Sequence, residues 1–365
     1  MGKLKILLVE DSDTDIAACL GTIKRYQLER HIEINCIIAK SKDEALSKLD
    51  STFDGAIIDI KLADTGIEGN DVIAEIHSAQ RIPIAVLTGT PEEVTVVCEY
   101  LGCFKKGETG YEEIIDMIME VHVTGITKIL GGRGILETAM TKIFWDNLLP
   151  QLSTWKAYCA SGKKTEQSIL RMVLNHLLDL LNNDENPACP EEMYIVPPLS
   201  VGIKTGSIVL KKLDGKRFIV ISPPCDLVVR AGGVFKTDKV QLAELAPFED
   251  VRDKALNGIV KTDKKISKLS ELLKNNYAEY YHWLPDSVGF IGGFINFRWT
   301  LSVPRDDMQT DFEEPLAQLS APYVKELIAR YSAFYARQGQ PDLDFEGLAV
   351  KLVPPSPVVA TSNAN

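Results

Sequence analysis

Residues 53–61 read Phe53-Asp54-Gly55-Ala56-Ile57-Ile58-Asp59-Ile60-Lys61, and this run decides how the first third of the chain is read. Gly55–Ile60 is apolar except for Asp59, which predicts a strand buried on both faces. A carboxylate in such a strand is costly unless it has partners. Comparable apolar runs lie at Lys5–Val9, Glu33–Ile38, Ile82–Leu87 and Cys103–Lys105. Between and after them, helical spacing marks Asp13–Tyr26, Lys42–Leu49, Asn70–His77, Pro91–Leu101 and Tyr111–Val121. Five buried strands alternating with amphipathic helices predict an α/β fold, a (βα)5 doubly wound unit with a parallel five-stranded sheet. Ligands of such sheets bind outside the carboxyl ends of the strands.

Polar residues gather at those ends. Glu10 and Asp11 follow the first strand, Asp59 ends the third, Thr88 the fourth, and Lys105 and Lys106 the fifth. Two like charges about 4 Å apart repel by roughly 4 kcal/mol at an effective dielectric near 20. A divalent cation removes that repulsion, and all-oxygen ligation points to Mg2+. A hydroxyl and an ammonium nearby suit a phosphoryl group carried on one carboxylate. Taken singly, each residue has a plainer reading. Glu10 and Asp11 are good first-turn acids for the following helix, Asp59 could be a satisfied buried acid, Thr88 a strand end, and Lys106 a solvated charge. The constellation carries the inference.

The stretches LLVEDSDTD (7–15), FDGAIIDIKLADTGIEGNDVI (53–73), PIAVLTG (83–89) and CFKKG (103–107) resemble the CheY-like receiver domain of response regulators, over residues 1–124. The resemblance implies that Glu10 and Asp11 hold Mg2+ together with Asp59 and the backbone carbonyl of Lys61. It makes Asp59 the phosphoacceptor, Thr88 the hydroxyl on the phosphoryl oxygen, and Lys106 its ion-pair partner. It also implies a histidine kinase or phosphotransfer protein as donor, within a two-component phosphorelay. Three positions depart from the pattern: Cys103 stands where the family carries an aromatic switch residue, Ala63 where a proline is expected, and Gly107 where proline usually follows the lysine.

The chain has 365 residues and a formal charge of −11, a length that suggests two or three domains. Residues 1–125 hold 12 basic and 23 acidic side chains, and the remainder 28 of each, so the whole deficit lies in the first third. That shift, with the cluster Gly131-Gly132-Arg133-Gly134, predicts a linker at 125–135. A helical connector is expected at 136–185, an α+β output domain at 186–350 and a disordered tail at 351–365. The N-terminus does not read as a signal peptide, and no segment reads as a membrane span. Seven cysteines without a CxxC pair fit free thiols in a reducing cytoplasm.

In the connector, Ile135–Leu149 is expected to be a helix broken at Pro150, and Thr165–Leu181 a second helix. Their broad apolar faces fit a bundle or docking layer better than a coiled-coil homodimer, which stays open. Farther on, Lys204–Leu213 and Lys216–Ser222 flank Asp214-Gly215, a hairpin signal. Val240–Leu245 and Gly289–Val303 read as strands and Lys265–Leu273 as a helix. The segment TGSIVLKKLDGKRFIVISPP (205–224) faintly resembles the small SH3-like barrel of PemK-type endoribonucleases, with Arg217 at the catalytic arginine. The alternative reading is therefore a receiver-gated ribonuclease, which requires Arg217 to face an open cationic groove beside a hydroxyl. Cys225 and His282 suggest a nucleophile pair, against which a structural turn cysteine is the simpler account. The aromatics Tyr277, Tyr280, Tyr281, Trp283, Phe294, Phe297 and Trp299 could stack on bases, but core packing explains them as well. Nothing reads as a basic recognition helix, so a nucleic-acid partner is neither supported nor excluded.

Overall fold

The computed structural model describes residues 3–62, 66–95, 102–132, 134–181, 187–199, 202–228, 236–337 and 343–353. The chain divides into two compact units, Met1–Glu185 and Asn186–Asn365.

In the first unit the elements run β1 (Lys3–Val9), α1 (Asp13–Arg30), β2 (Glu33–Ala39), α2 (Lys42–Lys48), β3 (Gly55–Ile58), α3 (Gly69–Ala79), β4 (Ile84–Thr88), β5 (Gly102–Lys105) and α4 (Tyr111–Val123). The five strands pair in parallel in the order β2-β1-β3-β4-β5, so the winding reverses between β1 and β3. Alternation along each strand feeds two cores. Leu4, Ile6 and Leu8 of β1, Ile57 of β3 and Leu87 of β4 pack with α1 and α4. Leu7 and Val9, Ala56 and Ile58, and Ile84 and Val86 pack with α2 and α3 on the other face. Each buried aliphatic side chain is worth about 1.5–3 kcal/mol, and the parallel pairing needs both layers. Helix starts are written locally: Ser12 and Ser41 accept the backbone N–H three residues on, and acids follow in each first turn.

The expected helix at Pro91–Leu101 is corrected over its first five residues. Pro91–Glu93 forms a single 3-10 turn, Val94 leaves it in extended conformation, and 96–101 lie outside the described residues. Val94 and Thr95 are β-branched, which disfavours helix, and the Thr95 N–H is taken by the Asn70 side chain at 2.8 Å. The stretch expected as a linker contains a helix, α5 (Ile126–Leu130). It is tied down: Thr127 is buried, the Gly132 N–H donates to the Ser51 carbonyl at 3.0 Å, and Arg81 pairs with Glu137 at 3.1 Å. Next come α6 (Ile135–Ile143), α7 (Leu152–Ala160) and α8 (Glu166–Leu181). The expected break at Pro150 is instead a change of pitch. The helix widens to a π turn at Phe144–Leu148 and tightens to a 3-10 turn at Leu149–Gln151 before α7. Pro150 has no N–H for the regular ladder, and the altered turns carry the chain past it.

The second unit comprises β6 (Tyr194–Ile195), β7 (Ser207–Leu210), β8 (Arg217–Val220), α9 (Pro224–Leu227), β9 (Lys239–Ala246), α10 (Phe248–Leu256), α11 (Thr262–Leu273), β10 (Tyr281–Leu284), β11 (Gly293–Pro304), α12 (Asp307–Asp311), β12 (Ala317–Leu319), α13 (Ala321–Tyr335) and α14 (Phe345–Leu352). Seven strands form one antiparallel sheet in the order β10-β11-β9-β8-β7-β12-β6, an α+β architecture compatible with a barrel-like domain. β7 and β8 form the expected hairpin, with a longer loop than Asp214-Gly215 alone. Lys211 and Lys216 make its last backbone pair, and Gly215 sits at φ 68° with its N–H on the Lys211 carbonyl. β11 is interrupted by a wide bulge: Ile295 faces Leu245 and Thr300 faces Ala243, so four residues stand against Glu244. Phe294 and Phe297 are fully buried and Trp299 is half exposed, so most of the aromatic stretch is core.

Candidate functional site

The first unit's polar residues converge where β1, β3, β4 and β5 end side by side. The Glu10 N–H donates to Ala39 O at 3.0 Å, Asp59 N–H to Val9 O at 2.9 Å, and Lys106 N–H to Thr88 O at 2.9 Å. These bonds carry the sheet's ladder one step past its regular strands and set each side chain on the same rim. One oxygen each from Glu10, Asp11 and Asp59 lies within 4.8 Å of the others. Lys106 Nζ donates to Glu10 Oε2 at 2.7 Å, Asp59 Oδ2 at 2.8 Å and Asp15 Oδ2 at 2.9 Å. The other oxygen of Glu10 accepts the Ser12 N–H at 3.0 Å.

Glu10 and Asp59 are buried and Lys106 is about three-quarters buried at its side chain. Burial pushes the Glu10 carboxyl above its ordinary value, with the Asp59 charge adding to it and the bonds from Lys106 and Ser12 opposing. Burial alone would lower the Lys106 ammonium, but the bonds to Asp59, Glu10 and Asp15 hold it above its usual range. Four carboxylates around one ammonium leave the rim strongly negative. An oxygen-only donor set of this charge fits a divalent cation of the Mg2+ class.

Thr88, fully buried, ends β4, and its Oγ1 accepts the Thr90 N–H at 3.4 Å. The Lys61 N–H reaches Asp59 Oδ1 at 3.4 Å, and its ammonium pairs with Glu93 at 3.1 Å. The structure therefore brings Glu10, Asp11, Asp59 and Lys106 together, with Thr88 at the end of β4 and Lys61 on the loop after β3. Cys103 is exposed on β5.

Three residues escape the sequence reading. Asp15 lies one turn into α1 and joins the cluster through Lys106. Gly69 starts α3 against the backbone that follows β3: a Cβ there would stand 2.2 Å from Asp59 O and 2.7 Å from Ile60 Cα. Asn70, buried, donates to Glu93 O at 3.0 Å and accepts from Thr95 N, tying the start of α3 to the segment after β4. The glycine before a helical run was the available signal for Gly69; Asp15 and Asn70 had none beyond their polarity.

In the second unit, Arg217 donates to Gly292 O at 3.2 Å and is half buried. The arginine braces the approach to β11, which leaves the ribonuclease reading without support. Cys225 is exposed beside Asp226 and Lys236. His282 is buried on β10 with Nδ1 unbonded among the described residues. No hydrogen bond between them is found among the described residues.

No family model matches the chain, and no curated protein matches it. Among solved structures it is similar to a CheY-like response regulator receiver domain from Methylobacillus flagellatus, at 18% identity over 32% of this chain and 99% of that one, with a TM-score of 0.26. It is similar to the REC domain of the PhyR response regulator of Erythrobacter litoralis, at 19% identity over 34% and 92%, with a TM-score of 0.27. A third is the response regulator TrrA of Thermotoga maritima in complex with Mg2+ and BeF, at 23% identity over 32% and 98%, with a TM-score of 0.25. The matched part is the N-terminal third. No helix among the described residues is long and apolar enough to cross a membrane.

Proposed function

We propose that the chain is a response regulator whose Asp59 accepts a phosphoryl group from a phosphohistidine of a kinase or phosphotransfer protein, and whose acylphosphate state controls the second unit. The observation that carries this is the rim itself: Glu10, Asp11 and Asp59 within 4.8 Å of one another, with Lys106 Nζ 2.8 Å from Asp59.

Phosphoryl transfer asks a protein mainly for positioning and charge stabilisation. A carboxylate oxygen of Asp59 attacks phosphorus, a P–O bond forms, and the P–N bond to the donor imidazole breaks. The imidazole leaves with the electron pair and takes up a proton. Glu10, Asp11, Asp59 and the Lys61 carbonyl would hold Mg2+, which when bound neutralises charge on the transferring oxygens. Lys106 then pairs with a phosphoryl oxygen, and the Thr88 hydroxyl donates to another. The apolar strands beneath keep the acceptor in a fixed position, and Gly69 lets the α3 entry close against it.

Intact mass after incubation with acetyl phosphate and Mg2+ tests the assignment. The chain gains one phosphoryl group, and Asp59→Asn gains none. Equal incorporation in that variant sinks the assignment.

A further inference from the structure

The Lys106 ammonium has three N–H donors, and three carboxylates take all of them. The contacts differ in one respect. Glu10 and Asp59 have side chains 2% and 9% exposed, whereas that of Asp15 is 37% exposed. Glu10 is further fixed by Ser12. Asp15 is held less tightly, on the first turn of α1, where its own N–H bonds Ser12 Oγ at 3.3 Å. An incoming phosphoryl oxygen can engage Lys106 only by displacing one of the three. While Asp59 is still ionised, before the P–O bond forms, the more exposed Asp15 is the carboxylate whose release leaves no buried charge unpaired.

We infer that Asp15 is a positioning residue that latches Lys106 in the resting state and yields its N–H to the phosphoryl group. This rests on the phosphoacceptor reading of Asp59. The latch has two consequences. It keeps the ammonium aimed at Asp59 before the donor arrives, and it places an additional negative charge in the path of an anionic phosphodonor. Removing that charge leaves Lys106 with a donor N–H ready for the phosphate.

The test compares wild type, Asp15→Asn and Asp15→Glu, with Asp59→Asn as control. Labelling by acetyl phosphate with Mg2+ is followed at varied donor concentration. In Asp15→Asn the apparent KM for acetyl phosphate falls about three- to five-fold, the size expected for a partly exposed ion pair, while the maximal rate changes less. Asp15→Glu, which restores the charge, stays within about two-fold of wild type. A merely structural role would move thermal stability without this split. A second readout needs no phosphorylation: lysine-selective NMR of the unphosphorylated chain shows an exchange-protected Lys106 ammonium signal, which Asp15→Asn removes. An unchanged KM, or an unchanged lysine signal, overturns the latch. Absence of labelling in wild type overturns the Asp59 reading instead, and the lysine signal still decides whether Asp15 holds Lys106.

Discussion

At the residue scale, the site works by concentrating charge where the sheet can hold it rigidly. Glu10 and Asp59 are placed by backbone bonds at strand ends, and Lys106 offsets part of a repulsion that would otherwise destabilise the rim. His282 shows the opposite strategy: a lone titratable ring sealed in the second unit. Burial pushes its imidazole down to about 3, helped by the charge of Arg330. Its folded value lies below the unfolded one, so its contribution is intact above pH 6.5 and is lost as pH falls toward 3. Denaturant titrations of the second unit should therefore show stability falling by roughly 3 kcal/mol between pH 7 and pH 4 from this residue. A His282→Gln variant, which does not titrate, should lose most of that slope; an equally steep slope in the variant assigns acid sensitivity elsewhere. Glu10, Asp11, Asp59, Thr88 and Lys106 were legible in the sequence because each follows an apolar run at a fixed step. Asp15 was not, since nothing in a one-dimensional pattern says which acids a lysine side chain will reach. The partner of Arg217 was illegible for the same reason, being a backbone carbonyl 75 residues on.

At the element scale, α3 and the loop between β3 and α3 decide how firmly the acceptor is held. The Gly69 N–H donates to Ile60 O at 3.0 Å, and its missing side chain lets the two backbones touch. Gly69→Ala forces a Cβ into the Asp59 carbonyl, and overpacking of this kind costs about 1–3 kcal/mol. Urea midpoints of the first unit should drop accordingly, with slower labelling of Asp59; unchanged values for both would show that the helix entry slides freely. The central parallel strands β1, β3 and β4 were readable because both faces are buried and their composition is nearly pure. The antiparallel strands were harder. β10 is Tyr-His-Trp-Leu and escapes any aliphatic pattern, and the bulge in β11 breaks the alternation that would mark its inward face. Over Pro91–Thr95 the departure from helix reflects competition: Asn70 bonds the Thr95 N–H where a helix would have used it.

At the scale of the whole molecule, the two units have separate cores, so calorimetry should resolve two transitions. Mg2+ with beryllofluoride should raise the first by several degrees, as expected for a ligand that binds only the folded state. The second should move by less. Switching a population from 1:99 to 99:1 requires about 5.5 kcal/mol of preference, and on the response-regulator reading proposed above Cys103 offers no aromatic ring to carry it. A second transition that moves as far as the first would contradict this weak coupling. The charge shift at residue 125 pointed to a division before any fold was visible, yet the first compact unit runs on to Glu185. Composition registers the acidic rim and surface of the receiver-like part, whereas the helices after it are neutral and join it through backbone contacts such as Gly132 to Ser51.

The order of the second sheet has a consequence for how the protein behaves when crowded. Its longest strand, β11 with twelve residues, lies second from one margin, and the margins belong to β10 with four residues and β6 with two. Short outer strands offer few open backbone groups to a neighbouring chain. β10 covers only Gly293–Asn296 of β11, whereas Thr300–Pro304 pairs with β9 alone among the described strands, so that second half is where this sheet leaves backbone groups open to a neighbouring chain.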